Sequence, residues 1–296
     1  MTVAIHAFRD EEAPARSLAM ALNAPLAFVE THRFPDGELL PRIPPPALTT
    51  IVYRSLNQPN EKLIELVLAA EAWRRRGARH LVLAAPYFCY MRQDAAFSTN
   101  EPISQRAIAR MLDGVFDRIV TVDPHLHRIS SMQELFEQTT CTSLKAAEAL
   151  VPSLRAGALD KDLVIVGPDE ESEPWVEQIA RPLGLDFAVM KKIRRGDIDV
   201  ELMAAGSLDI RNRPVLVVDD ICSSGATLSA ALRVLIAAGA RSAKIYVTHA
   251  LCPPTVITAL RKAGAEDVIS SDSCVHPTNA VSLAQLMAGA LARELS

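Results

Sequence analysis

The sequence predicts an α/β protein of two tandem domains, each built on a mainly parallel sheet. Three observations carry that expectation. An amphipathic stretch that ends at a glycine and is soon followed by an apolar run recurs in both halves of the chain, which is the alternation of βαβ units. At 296 residues the chain is long enough for two medium-sized cores. With 49% apolar and 22% charged residues, both signs interspersed, the composition is that of a globular chain and not of a disordered one.

Local patterns define the elements in chain order. The stretch PRIPPPAL at 41–48 is a proline-stiffened connection and is assigned no function. Residues 61–76, EKLIELVLAAEAWRRR, place Leu63, Leu66, Val67, Ala70 and Trp73 at helical spacing, with Asn60 positioned as the cap. Gly77 closes that helix, and HLVLAA comes next as a buried strand. AIARMLDGVFDRIVTV repeats the pattern without strong capping. The helix end and loop VPSLRAGALDKD at 151–162 lead into the strand LVIVG. The alternation returns as LSAALRVLIAAGARSAKIYVTH and as VITALRKAGAEDVIS. A boundary near Thr142 gives domains at 1–142 and 143–296, with a final amphipathic helix at 281–294 as a candidate to pack back on the first.

Charge and composition exclude several classes. A net charge of −4 offers no footprint for nucleic acid, and the basic run at 74–76 reads as a solvated helix C-terminus. No apolar stretch reaches the length of a membrane span, and the N-terminus has neither the basic start nor the apolar core of a signal peptide. Five widely spaced cysteines without a C-x-x-C pair fit reduced thiols in a cytoplasm. Cys222 comes directly after Asp219, Asp220 and Ile221, and the two aspartates disfavour its thiolate, so a nucleophilic role is not expected of it.

Ligands of open parallel sheets collect beyond the carboxyl ends of strands. The segments at the ends of the apolar runs are PYFCYMRQD, DPHLHR, PDEESE, KKIRRGD and DDICSSGAT. The last is the most informative. Residues 223–227 form a tight turn at the start of a helix, where successive amides and the hydroxyls of Ser223, Ser224 and Thr227 wrap a phosphate favoured by the helix dipole. There is no G-x-x-x-x-G-K-[ST]. Asp219 and Asp220 would repel that phosphate but suit vicinal hydroxyls, so a diol with a phosphomonoester at its far end, a pentose 5-phosphate, is the fitting ligand. The plain alternative is Asp220 as a helix cap, which leaves Asp219 unexplained.

VVDDICSSGAT resembles the ribose-phosphate loop of type I phosphoribosyltransferases and of ribose-phosphate diphosphokinases. RFPDGE at 33–38, PYFCYMRQD at 86–94, VDPHLHR at 122–128, GPDEES at 167–172 and KKIRRGD at 191–197 resemble the diphosphokinase motifs in order and spacing. RQDAAFSTNEPIS and THALC are similar to the archaeal-like branch. The resemblance implies two tandem Rossmann-like (type I phosphoribosyltransferase-like) domains. It also implies transfer of the β,γ-diphosphoryl group of ATP to the C1 hydroxyl of ribose 5-phosphate, releasing AMP. Asp219 and Asp220 would hold the ribose hydroxyls. Ser223, Ser224, Gly225, Ala226 and Thr227 would hold the 5-phosphate. Asp36, Gly37, Glu38, Arg92, Gln93 and Asp94 match ATP-binding positions, and Phe34 would stack near the adenine. His125 and Asp169 match a Mg²⁺-binding pair; the rival zinc reading of His-Leu-His lacks a third nearby Cys or His, and His127 can also simply face solvent. Lys192 and Arg194 would close over the triphosphate as catalytic cations, Arg194 also contacting ribose 5-phosphate, with an exposed basic loop as the plain alternative. The aspartate–glycine–glutamate turn would come from a neighbouring copy, so a homo-oligomer (dimer or hexamer) is implied.

The chain departs from the family pattern at Ala95 and Ala96, where basic residues are usual, and at Glu171, where glycine is usual. Those departures leave open a weakly active or inactive paralogue that regulates a true synthetase, and the shared loop leaves open a phosphoribosyltransferase, against which the DGE and RQD segments argue.

Overall fold

A computed structural model of the chain describes residues 3–96, 98–157, 159–192, 200–204 and 209–295, positions 192 and 200–204 by their backbone alone. The chain divides into two compact units. One comprises Met1–Lys145 with Ser273–Val275 and Leu283–Ser296, and the other Ala146–Asp272 with His276–Ser282.

The first unit holds β1 (Val3–Phe8), β2 (Leu26–Arg33), β3 (Leu39–Arg42), β4 (Thr49–Tyr53), β5 (His80–Ala85), β6 (Arg118–Val122) and β7 (Thr140–Leu144). They form one sheet in the order β3-β2-β1-β4-β5-β6-β7. Among the described residues every pairing in it is parallel except β2 with β3, which is antiparallel. Strand β7 runs through position 142 and carries the unit on to Lys145.

Helix α2 (Pro59–Arg75) shows how the local sequence decides the packing. Pro59 at its start has the φ a helix needs and no N–H to leave unsatisfied. This moves the start one residue ahead of the expected cap: Asn60 is inside the helix, and its side chain accepts a hydrogen bond from the Tyr90 hydroxyl at 2.6 Å. Leu63, Leu66, Ala70 and Trp73 are buried as their spacing predicts. They pack with Leu81, Leu83, Phe88 and Phe116 in the core. Helix α8 (Ala284–Leu291) lies against α1 (Glu12–Leu22). The turn after α8 brings Glu294 to 2.5 Å from buried Arg118 of β6.

The second unit repeats the plan. Its strands are β8 (Val164–Gly167), β9 (Asp186–Lys192), β10 (Val200–Ala204), β11 (Pro214–Cys222), β12 (Ser242–Ala250), β13 (Asp267–Ser271) and β14 (Asn279–Val281). Their order is β10-β9-β8-β11-β12-β13-β14, the same as in the first sheet, again with its second and third strands antiparallel. Both faces of the sheet are covered, α5 (Glu173–Leu183) on one core and α6 (Ala226–Ala237) on the other. That double burial is why VLVV reads as a continuous apolar run and not as an alternation.

In each sheet the chain runs outward from its first strand in one direction and then crosses to that strand's other side. The crevice at that reversal lies beyond the carboxyl ends of β1 and β4 in the first unit, and of β8 and β11 in the second.

Candidate active site

In the second unit the reversal point holds three of the acids singled out from the sequence. Asp219 and Asp220 are the sixth and seventh residues of β11, the second almost fully buried, and the backbone N–H of Asp220 donates to Asp219 Oδ1 at 2.9 Å. Asp220 therefore caps no helix; the residue at the start of α6 is Gly225, which offers no side-chain cap. Asp169 leaves the end of β8, and its carboxylate accepts the Ser172 N–H at 3.2 Å. Burial pushes the Asp219 carboxyl up to about 8, with the charges of Asp220 and then Asp169 adding to it. Asp169 is raised in turn by burial first, then by Glu171, then by Asp220. The carboxyls of Asp169, Glu171, Asp219 and Asp220 concentrate negative charge that a bound hard cation with oxygen preference would relieve.

The small residues beside them have a geometric cause. Gly225 has φ +70°, and a Cβ there would stand 2.6 Å from Val256 Cγ1. Glycine thus permits both the left-handed turn and the close approach of α7 (Pro254–Lys262). The turn leaves Ser224, Ala226 and Thr227 exposed at the first amides of α6, and Ser224 Oγ accepts the Ala226 N–H at 3.4 Å. Gly167 is tighter. A Cβ on it would meet Ser172 Oγ at 2.1 Å and both Val176 and Val189 at 3.0 Å. Gly167→Ala is expected to lower the unfolding free energy by about 2–3 kcal/mol, measured by urea denaturation, because the turn carrying Asp169 must move.

Cys222 sits behind this loop. Burial pushes its thiol up first, neighbouring Cys252 second, and Asp219 contributes least. The inertness expected from the two aspartates therefore comes mainly from desolvation. Lys191 reaches Glu170 at 2.6 Å. Lys192 is described by backbone only, at the end of β9 opposite Val200, and Arg194 lies outside the described residues.

In the first unit two loops meet. Residues 86–96 leave β5 and residues 123–131 leave β6, its neighbour. Arg92 and Gln93 are exposed. Gln93 is held by the Ser104 hydroxyl and by its own carbonyl, which accepts the Gln105 N–H at 3.2 Å. Asp94 joins the two loops through Arg128 Nε at 3.4 Å, a link between the RQD and HLHR stretches that their sequences do not announce. His125 is half-buried, and His127 lies beside it. Phe34, Asp36, Gly37 and Glu38 are exposed on the β2–β3 turn, closed by the Phe34 N–H to the Glu38 carbonyl at 2.9 Å and by Gly37 at φ +95°. That turn belongs to the sheet's far edge. With strands about 4.8 Å apart, three steps separate β2 from β5, roughly 14 Å.

The reversal point of the first unit holds something the sequence did not signal. Buried Arg54, Glu11, Lys62 and Glu65 close it with ion pairs. Among the described residues no group of three or more His, Cys, Asp or Glu side chains is arranged around a metal position, and no helix is long and apolar enough to cross a membrane.

Two parallel sheets of this order, the second with acids and a glycine-opened helix start at its reversal point, define a chain of the phosphoribosyl transferase class; residues 140–275 match the family model described as phosphoribosyl transferase domain. Residues 3–115 match the N-terminal domain of ribose phosphate pyrophosphokinase. The ribose-phosphate pyrophosphokinase of Methanopyrus kandleri is 35% identical over 278 residues, 93% of this chain and 94% of that protein. Ribose-phosphate pyrophosphokinase 2 of Archaeoglobus fulgidus is 31% identical over 274 residues, again 93% and 94%. The chain belongs to the ribose-phosphate pyrophosphokinase family. A crystal structure of phosphoribosylpyrophosphate synthetase from Mycobacterium smegmatis aligns over 100% of both chains with a TM-score of 0.84 at 24% identity, which bears on the fold.

Proposed function

We propose that the chain is an active ribose-phosphate diphosphokinase, which moves the β,γ-diphosphoryl group of Mg-ATP to the C1 hydroxyl of ribose 5-phosphate and releases AMP. The observation that carries this reading is the acid pair Asp219 and Asp220 at the reversal point of the second sheet, one loop away from a helix start without a side-chain cap. Such a site takes a diol at one end and a phosphate at the other. Asp219 and Asp220 accept hydrogen bonds from the ribose hydroxyls, and the amides and hydroxyls of residues 223–227 hold the 5-phosphate. Arg92, Gln93 and Asp94 take ATP, whose adenine stacks near Phe34 of a neighbouring copy. His125 and Asp169 are assigned to magnesium, which when bound supplies charge neutralisation on the triphosphate. Lys192 and Arg194 are assigned to the charge that moves during transfer.

The separation of the β2–β3 turn from the loop after β5 supports a homo-oligomer. Asp36, Gly37 and Glu38 then serve the nucleotide of a neighbouring copy, which they do not approach within their own sheet. A cytoplasmic setting fits five thiols without a disulfide.

The test is AMP formation from Mg-ATP and ribose 5-phosphate, with Lys192→Ala expected to lower it at least tenfold, about 1.4 kcal/mol. No AMP above background with any divalent metal would remove the reading. Glu171 favours a second one, since its charge adds to the load on Asp169: a weak paralogue that regulates an active synthetase. No turnover alone together with tight co-purification with an active homologue would establish that instead.

A further inference from the structure

We infer that α3 (Ser104–Leu112) carries a site for a phosphate-type oxyanion, built from Gln105, Arg106 and Arg110. The helix buries Ala109 and Leu112 in the core of the first unit. Positions 106 and 110 fall on its outer side, four residues apart on one face. Both arginines are exposed, and among the described residues neither guanidinium has a carboxylate partner. Like charges at that spacing repel each other, and an anion held between them removes the repulsion. Gln105 is the opposite case. It is 2% exposed, and its amide nitrogen is buried with no acceptor among the described residues. Its backbone N–H donates to the Gln93 carbonyl at 3.2 Å, which fixes the start of the helix against the loop after β5.

All three side chains line one cavity of about 520 Å³, a size within the roughly 300–1,000 Å³ of small-molecule sites. The acids around it mostly have donors already. Asp113 accepts the N–H groups of Gln138 and Thr139, each at 2.9 Å. Glu134 accepts the Ser130 N–H at 2.9 Å and the Ser130 hydroxyl at 2.7 Å. Asp94 is answered by Arg128. Among the described residues that leaves Glu137 against two guanidiniums and an amide, so the cavity presents more donors than acceptors. A buried amide N–H without an acceptor is costly, and what completes the cavity is therefore an acceptor and not a cation. A tetrahedral oxyanion suits it: the guanidinium forks take some of its oxygens and the amide another. A phosphate group has that chemistry whether it is free or belongs to a nucleotide, and Asp94, which shares the cavity, is assigned above to ATP. The site lies in the first unit, apart from the turn at 223–227, and rests on no part of the catalytic reading.

The experiment is a calorimetric titration of the metal-free full chain with inorganic phosphate at constant ionic strength. It is repeated on Arg106→Gln/Arg110→Gln, on Gln105→Met and on Thr227→Val. Two phosphate sites per chain are expected, one on α3 and one on the turn at 223–227. The double arginine variant should weaken the first by at least about tenfold, the effect of losing hydrogen bonds to a charged group. Gln105→Met keeps the volume and removes the donor, and should weaken it about two- to tenfold. Thr227→Val should leave it unchanged. A phosphate isotherm untouched by the arginine replacements would overturn the site. So would chloride competing as well as sulfate at equal ionic strength, which is the mark of diffuse attraction. Repeating the titration with Mg-ATP present separates the two sources: displacement of the ion identifies a nucleotide phosphate as the occupant, and joint binding identifies a free oxyanion. The outcome is also separable from the catalytic reading. A single phosphate site that survives Thr227→Val and is lost with the arginines keeps this inference while the 5-phosphate assignment falls. A single site with the reverse behaviour removes the inference and keeps that assignment.

Discussion

Replacing Asp219 and Asp220 together by asparagine is expected to cut AMP formation by about a thousandfold, roughly 4 kcal/mol of transition-state stabilisation. The same change should make the empty protein harder to unfold at pH 8. Both effects have one origin. The carboxyl of Asp219 is pushed up to about 8 by burial, by Asp220 and by Asp169, so the folded chain keeps a proton that an unfolded aspartate releases near pH 3.9. Between those two values the unfolded state is the one that has lost its proton. Stability therefore falls as pH rises through that window, is unaffected below about 4, and levels off above about 8. Asparagine never ionises and escapes the loss. The gain at pH 8 is set at about 1–2 kcal/mol, well under the full shift, because Asp219 is only partly buried and keeps some water. An acid pair that costs stability when empty is what a site for vicinal hydroxyls beside a bound cation is expected to show. The check is urea unfolding at pH 5, 6, 7 and 8 beside an AMP assay. A double variant with full turnover, or one destabilised equally at every pH, would end the assignment of these residues.

The elements legible in the sequence are those in which one physical requirement dominates. HLVLAA and RIVTV coincide with β5 and β6 because strands covered on both faces need unbroken apolar runs. The α2 stripe is legible for the same reason. The loop after β11 is legible because acids and a glycine with small hydroxyl residues have few reasons to be adjacent. The features that escape a sequence reading are relational. Asn60 is not the cap it resembles, because Pro59 overrides it by fixing the backbone one residue earlier. The antiparallel pairing of β2 with β3 spans a Pro-Asp-Gly turn whose residues also read as ligand-binding positions, and the pairing of β9 with β10 stands outside the recurring helix–glycine–strand pattern. The contact of His127 with His125 depends on Leu126 choosing the core, which a run of three residues does not reveal. Lys62 and Glu65 lie on the buried side of α2 among its apolar residues, and only their partners on other elements explain why charges are tolerated there.

Those partners lead to the second large effect. Arg54→Ala is expected to lower the stability of the first unit by about 3–5 kcal/mol, the usual consequence of removing one member of a buried ion network. The two sheets share one strand order, yet their reversal points are used in opposite ways. In the second unit the crevice gathers Asp169, Asp219 and Asp220, the acids assigned above to a proposed ligand. In the first, Arg54 spans it: Nη1 reaches Asp10 at 2.5 Å, Nη2 reaches Glu65 at 2.6 Å, and the guanidinium lies 4.2 Å from the Phe8 ring centre. Lys62 donates to Glu11 at 2.7 Å and to the carbonyl of Ser55 at 2.7 Å, while Glu11 accepts the Ser55 N–H at 3.0 Å. Burial pushes the Glu11 carboxyl up, and the charges of Arg54 and Lys62, with the Lys62 hydrogen bond, hold it down. Without Arg54, folding forces Glu11 either to take up a proton or to stay charged in a dry crevice. The deficit should therefore grow with pH, smaller at pH 5 than at pH 8, because an unfolded glutamate ionises near pH 4.3 while buried Glu11, already raised by burial, resists. A loss of side-chain packing alone would give the same deficit at both values. Denaturant curves for the two proteins at pH 5 and pH 8 separate these causes: a pH-independent gap would mean that Arg54 acts through its contact with Phe8, and a gap under about 1 kcal/mol at pH 8 would mean that water enters the crevice and the network is not buried in solution.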